Sequence, residues 1–303
     1  MLAVFSRGPE GAREVVRTRC ERGADIAKML GFADDTVKAI RALDEHWDGG
    51  GQPYAMKGDE TPLLARILGL AQTVEVFYSS HGVLTAYDIA AARRGSWFDP
   101  RLVDALLSIR TDGHFWKSLG ETDLIAQIKA VEPEDQVAMA RPGRLDLVAE
   151  AFAKVIDAKS PWTFKHSNGV ADLAVSIGER VGIQGHALVE LRRAALLHDL
   201  GKLGVSSLIL DKPGKLTEEE FAVMRGHPRH TRDILSRVGC FDSLVDVASS
   251  HHERLDGTGY HRRLESSRLP MAARVICVAD ICDALGRRGP IARDFRRTGS
   301  SRS

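Results

Sequence analysis

"LRRAALLHDL", residues 191–200, decides the fold class. Its leucines and alanines recur at helical spacing, and the apolar run stops on a histidine and an aspartate. "DLVAEAFAKVID" (146–157) carries the same period, the pattern of a helix with one face turned to a core. "TEEE" at 217–220 is a capping-box start, Thr217 answered by Glu220, and it leads into the apolar "FAVM". Alternating runs with hairpin turns are nearly absent, so the chain reads as all-α.

The 303 residues suffice for two domains of ordinary size. With 44% hydrophobic and 27% charged residues the composition is that of a globular, not a disordered, protein. A formal net charge of +1 gives no overall basic field for nucleic acid or an anionic membrane. No stretch approaches the roughly eighteen apolar residues of a membrane span, and "MLAVFSRGPEG" is too short and mixed for a signal peptide. The expected location is the cytoplasm. Cys20, Cys240, Cys277 and Cys282 lack CxxC spacing and are expected to be reduced and mostly buried. "VEPEDQVAMARPGR" (131–144), with two prolines and mixed charge, reads as a linker.

Setting residue n against residue n + 208, without gaps, aligns residues 18–72 with 226–280. Thirteen of the 55 pairs are identical, where chance gives roughly three or four at average composition. "EHWDGGG" lies on "ERLDGTG", and "PLLARILGLAQ" on "PMAARVICVAD". The expectation is two copies of one scaffold. Their differences are selective: His227 is matched by Arg19, His251 by Leu43, His252 by Asp44, and Asp280 by Gln72. The framework glycines, proline and arginine persist while the ligand-type residues are gone from the first copy.

Those residues interrupt helical patterns in the second half. His166 sits in "FKHSNGVADLA" and His198–Asp199 end "RRAALLHDLGK". His227 ends "TEEEFAVMRGH", His251 and His252 end "SLVDVASSHH", and Asp280 lies within "ARVICVADICDAL". Imidazoles and carboxylates suit mid-series divalent ions such as Fe, Mn or Zn. Seven groups exceed the needs of one ion, and an aspartate bridging two ions about 3.5–4 Å apart gives the clamp of phosphoester hydrolysis. Singly, each has a plainer reading: a lone surface or core histidine at 166, an imidazole favouring a helix C-terminus at 198, an aspartate paired with an arginine at 280. Asp256 to Gly259 suit a tight turn with positive φ, either closing the rim of a site or serving structure alone.

"LLHDLGKLGV", "LDKPGKLTEEEF", "HP", "HHERLDGTGY" and "ARVICVADICDAL", in that order, resemble the HD-GYP subgroup of the HD-domain metal-dependent phosphohydrolases. The resemblance covers residues 145–285 and implies an α-helical bundle with a two- or three-metal site that hydrolyses cyclic di-GMP. It places metal ligands at His166, His198, Asp199, His227, His251, His252 and Asp280. Asp199 would bridge the ions, and Lys202 would contact the phosphate. Gly259, Tyr260 and Asp283 fall where the family meets substrate. Trinuclear members place a glutamate four residues before the first histidine, and Trp162 stands there instead, which implies two ions: Fe or Mn, with Zn or Ni as further options.

Three features depart from the family. Its Gly-Tyr-Pro triplet is here Gly259-Tyr260-His261, which should cost the turn some rigidity. Its Arg-Pro-Tyr segment after "DAL" is replaced by "GRRGPIARDFRRTGSSRS", a basic tail over 286–303 expected to be disordered. The first copy continues into a closing helix at 93–109 whose counterpart in the second would lie beyond residue 303, so the chain reads as clipped at both ends. The resulting expectation is a degenerate first repeat (1–130), a linker (131–144) and a phosphohydrolase repeat (145–285). The leading function is hydrolysis of a cyclic dinucleotide or other phosphoester. The alternative is a non-catalytic signalling module that binds metal and protein partners. Nucleic-acid binding by the arginine-rich tail has no aromatic interleaving to support it, and the oligomeric state has no signature.

Overall fold

The computed structural model describes residues 8–119, 124–131, 142–160 and 165–286. Most of the expected linker, Trp162 and the basic tail beyond Gly286 lie outside the described residues. The chain divides into two compact units, Met1–Met139 and Ala140–Ser303. Among the described residues both are helical, with two isolated bridges, Arg94–Phe98 and Asp256–Glu265, as the only β-type pairing.

The first unit contains α1 (Gly8–Met29), α2 (Asp34–Arg41), α3 (Leu63–His81), α4 (Val83–Ala92), α5 (Pro100–Ser108), α6 (Gly113–Leu119) and α7 (Leu124–Val131). The second contains α8 (Pro142–Lys159), α9 (His166–Arg180), α10 (His186–Leu197), α11 (Ser207–Leu210), α12 (Glu218–Arg225), α13 (His227–Leu235), α14 (Val245–Ala248) and α15 (Met271–Gly286). In the second unit α9 packs on α8, α10 and α15. Their seam is small-residue rich: Ala149, Ala153, Ala171, Ala174, Ala194, Ala195 and Ala279 are buried together with Leu191, Leu196, Leu197 and Ile276. Alanines bring the backbones close, and each fully buried leucine contributes about 1.5–3 kcal/mol.

Local chemistry moves several expected boundaries. The linker reading took in residues 142–144, but α8 starts at Pro142, whose missing N–H is harmless in a first turn. The closing helix expected over 93–109 runs only from Pro100, because Asp99 caps it by accepting from Arg101 N at 2.9 Å. His227 does not end the capped helix; it opens the next one, since Pro228 cannot donate to a continuing ladder. Of the cysteines only Cys20 is buried, a correction to the expected pattern. Cys282 faces outward on α15 beside exposed Val278 and Ile281, and Cys240 sits in a solvent-facing turn.

Contacts recur at the 208-residue offset. Glu45 is buried and accepts from Tyr54 N at 2.6 Å and Met56 N at 3.0 Å. Glu253, also buried, accepts from the matching Arg262 N at 2.6 Å and Leu264 N at 2.9 Å. Asp48 accepts from Gly50 N at 2.7 Å, and Asp256 from Thr258 N at 3.0 Å. A Cβ on Gly51 would lie 2.5 Å from Glu45 Cα, and one on Gly259 would lie 2.6 Å from Glu253 Cα. The positive φ expected of this turn belongs to Gly49 (+85°) and Gly257 (+73°). Gly259 is required instead by close approach of the loop to the glutamate.

The same register explains the altered triplet. Position 261 of the second unit corresponds to Pro53 of the first, which has no N–H to offer. His261 has one, and donates it to Glu253 Oε1 at 3.2 Å. The expected loss of rigidity is thus offset by a third backbone bond to the buried carboxylate.

Candidate metal centre

Four short segments deliver the ligand-type residues of the second unit. His198 follows the last residue of α10, and Asp199 precedes a 3-10 turn, Leu200–Gly204. That turn lies directly on the start of α13: a Cβ on Gly201 would meet His227 O at 1.9 Å, so only glycine fits there. Thr231 clamps the junction, accepting from Gly201 N at 2.9 Å and donating to His198 O at 2.9 Å. Asp199 and His227 are brought together by this packing. Lys165, left-handed at φ 59°, turns the chain so that α9 opens with His166. His251 and His252 lie in the turn after α14, and Asp280 sits within α15.

All seven residues converge. His198, Asp199, His227 and His251 are buried, while His252 and Asp280 are part-exposed and form the open side. His166 Nε2 is 3.1 Å from Asp280 Oδ1 and 3.8 Å from Asp199 Oδ2. Asp199 Oδ2 lies 3.3 Å from His198 Nε2, and its Oδ1 lies 3.3 Å from His227 Nε2 and 3.8 Å from His251 Nε2. His252 lies against His251, ring centroids 4.2 Å apart and tilted by 47°, and meets His227 edge-on at 5.0 Å. Three triads hold ligand atoms within 4.8 Å of one another: His227–His251–His252, His166–His198–Asp280 and His198–Asp199–His251.

The hydrogen bonds fix which ring nitrogen faces inward. His198, His227 and His251 each place Nδ1 on the carbonyl three residues earlier: Ala195 O at 2.7 Å, Met224 O at 2.7 Å and Ala248 O at 2.8 Å. A carbonyl accepts only, so Nδ1 carries the proton and Nε2 of the neutral ring presents a lone pair. His227 Nε2 and His251 Nε2 are nevertheless 3.1 Å apart. Two lone pairs facing each other beside a carboxylate repel unless a cation lies among them. His198 Nε2 and Asp199 Oδ1 are buried without any hydrogen-bond partner, which costs about 1–3 kcal/mol each when left so. The donor set fits divalent ions, and the orphaned atoms are the ones such ions would satisfy.

Electrostatics favour neutral rings at His251 and His252 and charged ones at His166 and His198, beside Asp280 and Asp199. Burial and the neighbouring imidazoles push His251 well below the ordinary histidine range, and burial with His227 brings His252 to about 4. Burial opposes charge on His166, but Asp280 and Asp283 outweigh it and raise that group to about 9. Burial also opposes ionisation of Asp199, yet Lys202 and His198 hold it well below the carboxylate range. A carboxylate kept ionised in so buried a place marks a site built around positive charge.

The residues expected to meet substrate divide. Lys202 Nζ reaches Asp199 Oδ2 at 2.6 Å and stays part-exposed. Tyr260 is exposed and lies against His252, ring centroids 4.8 Å apart and tilted by 38°, making an aromatic wall beside the open side. Gly259 is buried under the loop. Asp283 does not face outward but accepts at 2.7 Å from His166 Nδ1, orienting that ring as the backbone carbonyls orient the others. Sequence reasoning missed Gly201, Thr231 and Glu253. The only signals available were the glycine in "HDLGK" and the Glu45–Glu253 identity.

In the first unit the matching positions hold different chemistry. Arg19 and Asp44 form an ion pair where the second unit has His227 and His252. Cys20 Sγ lies 3.5 Å from the same carboxylate. A guanidinium thus stands among these residues, and among the described residues no metal-type triad occurs in this unit.

Comparison with known proteins places this architecture. The chain is 40% identical over 289 residues to the 3′3′-cGAMP-specific phosphodiesterase 3 of Vibrio cholerae, covering 95% of this chain and 63% of that protein. It is 39% identical over 130 residues to a cyclic di-GMP phosphodiesterase of Thermotoga maritima, covering 42% of this chain and 35% of that one. The crystal structure of a cyclic GMP-AMP-specific phosphodiesterase from V. cholerae superposes with a TM-score of 0.65 at 36% identity, covering 99% of this chain and 71% of that chain. The HD-domain family pattern matches residues 10–102 and 150–299. With both matches and a helical fold throughout the described residues, the chain belongs to the HD-domain family.

Proposed function

We propose that the second unit is a metal-dependent phosphodiesterase acting on a cyclic dinucleotide, and that the first is a copy of its scaffold without the metal ligands. The observation that carries the enzyme reading is the pair of lone-pair nitrogens, His227 Nε2 and His251 Nε2, held 3.1 Å apart beside the orphaned Asp199 Oδ1. The recurring Glu45 and Glu253 clamps support the copy reading.

His166, His198, Asp199, His227, His251, His252 and Asp280 would hold two divalent ions, Fe or Mn by the imidazole–carboxylate donor set. When bound, such ions supply Lewis acidity toward a water and toward the phosphoryl oxygens. The protein does the rest. Asp199, with one carboxylate oxygen 3.3 Å from His198 Nε2 and the other 3.3 Å from His227 Nε2, would be the residue able to serve both ions. Lys202, released from part of its pairing with Asp199, offers an ammonium to a phosphate oxygen at the open side. Asp283 fixes the ring of His166, and Tyr260 offers a face on which a base can stack. The relatives named for cyclic GMP-AMP and for cyclic di-GMP make both dinucleotides the substrates to test.

Turnover of 3′3′-cGAMP and of cyclic di-GMP by anaerobically purified protein loaded with Mn or Fe is the deciding experiment. Hydrolysis of either, abolished by His251→Ala, is expected. A protein that binds about two ions yet turns over neither dinucleotide would sink the hydrolase reading and leave a metal-binding module.

A further inference from the structure

The first unit has an open cavity of about 290 Å³ around the positions that correspond to the histidine cluster of the second. Asp44 and Gln72, the counterparts of His252 and Asp280, line it together with Thr73, Phe77, Arg93 and Trp97. The charges around it are unequal. Asp44 is neutralised by Arg19, and Arg66, Arg94 and Arg101 are taken up by Asp59, Asp99 and Asp104. Among the described residues Arg93 makes no ion pair and lies over aromatic rings: its guanidinium carbon is 3.9 Å from the Trp97 ring centroid and 5.9 Å from that of Phe77. Trp97 is itself backed by His46, stacked at 4.2 Å and 19°. A guanidinium over an indole face can still present its N–H fork, and that fork matches the oxygens of a phosphate.

We propose that this cavity binds one purine nucleoside 5′-monophosphate unit without a metal ion, Arg93 holding the phosphate and Gln72 reading the edge of the base. The volume sits at the low end of ligand pockets, roughly 300–1,000 Å³, and suits one nucleotide rather than a cyclic pair. Gln72 is exposed on α3 and offers both a donor and an acceptor, as a base edge requires. Phe77, half-buried beside it, supplies an apolar wall. The choice of a nucleotide over another aromatic phosphate rests on reading the second unit as a phosphodiesterase. Hydrolysis of both phosphodiester bonds there, each consuming one water and releasing the 3′-oxygen, yields two nucleoside 5′-monophosphates, and the site of the first unit would be a place where such a product is sensed.

The test is calorimetric titration of GMP, guanosine and inorganic phosphate into the full chain stripped of metal with EDTA. GMP should bind saturably and more tightly than guanosine or phosphate. Arg93→Gln should weaken it roughly tenfold or more, the loss of a charge-assisted contact. Gln72→Leu, at an exposed helical position, should weaken it too and decides the matter if Arg93→Gln does not fold. Absence of saturable GMP binding, binding untouched by both variants, or binding lost on Lys202→Ala in the second unit would each overturn the proposal. Dinucleotide turnover by the Mn-loaded protein is read alongside. Turnover without GMP binding refutes this site and leaves the enzyme, whereas GMP binding without turnover does the reverse.

Discussion

Glu253→Gln isolates the clamp that shapes the loop beside the histidines. The carboxylate is 3% exposed and accepts three backbone N–H groups, from His261 at 3.2 Å, Arg262 at 2.6 Å and Leu264 at 2.9 Å. Glutamine keeps the shape but replaces one oxygen with a donor. Whichever way the amide turns, at least one N–H faces an N–H. One charge-assisted bond is lost, about 1.5–3 kcal/mol, and the remaining ones drop to the strength of neutral bonds. The sum is about 3–4 kcal/mol, which moves the melting temperature of a unit this size by roughly 10 °C. Scanning calorimetry on the full chain measures it directly. The matching Glu45→Gln, with bonds to Tyr54 N and Met56 N, should lower a transition of the first unit by a smaller amount. A Glu253→Gln protein melting within about 2 °C of the parent would refute the claim that this carboxylate organises the loop.

Four further outcomes follow from the same geometry. His261→Pro removes an N–H bond to the charged Glu253 carboxylate, about 1.5–3 kcal/mol, and recovers about 0.4–1 kcal/mol from a stiffer unfolded chain; urea unfolding should therefore show a net loss of about 0.5–2.5 kcal/mol. Chelation should lower the transition that Glu253→Gln moves and not the one that Glu45→Gln moves, by about 4 kcal/mol if ions are present at a thousand times their Kd. Asp199→Ala should lose metal, read by elemental analysis, along with turnover, while Asp44→Ala should keep both. Asp99 is buried, which alone would raise its pKa, but bonds from Arg101 and Arg66 prevail and lower it. Its contribution is thus fully present above the ordinary carboxylate pKa of about 3.9 and fades as pH falls through the lower folded value. Asp99→Asn should flatten the acid limb of the first unit's melting profile, and an unchanged limb would count against the pairing.

Helical class and the seven converging residues were legible because each leaves a local mark. A histidine or aspartate breaking an apolar helical run is visible within ten residues, as at His198–Asp199 and Asp280. What stayed hidden depends on contacts between distant positions. His166 and Asp283 are 117 residues apart in the chain, and nothing beside Asp283 distinguishes a residue that orients a ring from one that meets substrate. Thr231 looks like any helical threonine until it is found between Gly201 N and His198 O. The helix break before His227 was written locally, in Gly226 and Pro228, but the apolar period of "FAVMRGH" runs up to it and masks it. Lys202 was read as a phosphate contact, and its short distance to Asp199 emerges only when the 3-10 turn winds it back.

The exchange at positions 53 and 261 bears on how such chains are recognised. The Gly-x-Pro spelling stands at Gly51-Gln52-Pro53, in the half without the histidine cluster, and is missing from the half that carries it. Both loops hang on a buried glutamate, by two backbone bonds in one and three in the other. The triplet is therefore silent about chemistry. A search keyed to it would point at the wrong half of this protein, whereas one keyed to the glutamate six residues before the second glycine would find both loops and leave the histidines to tell them apart.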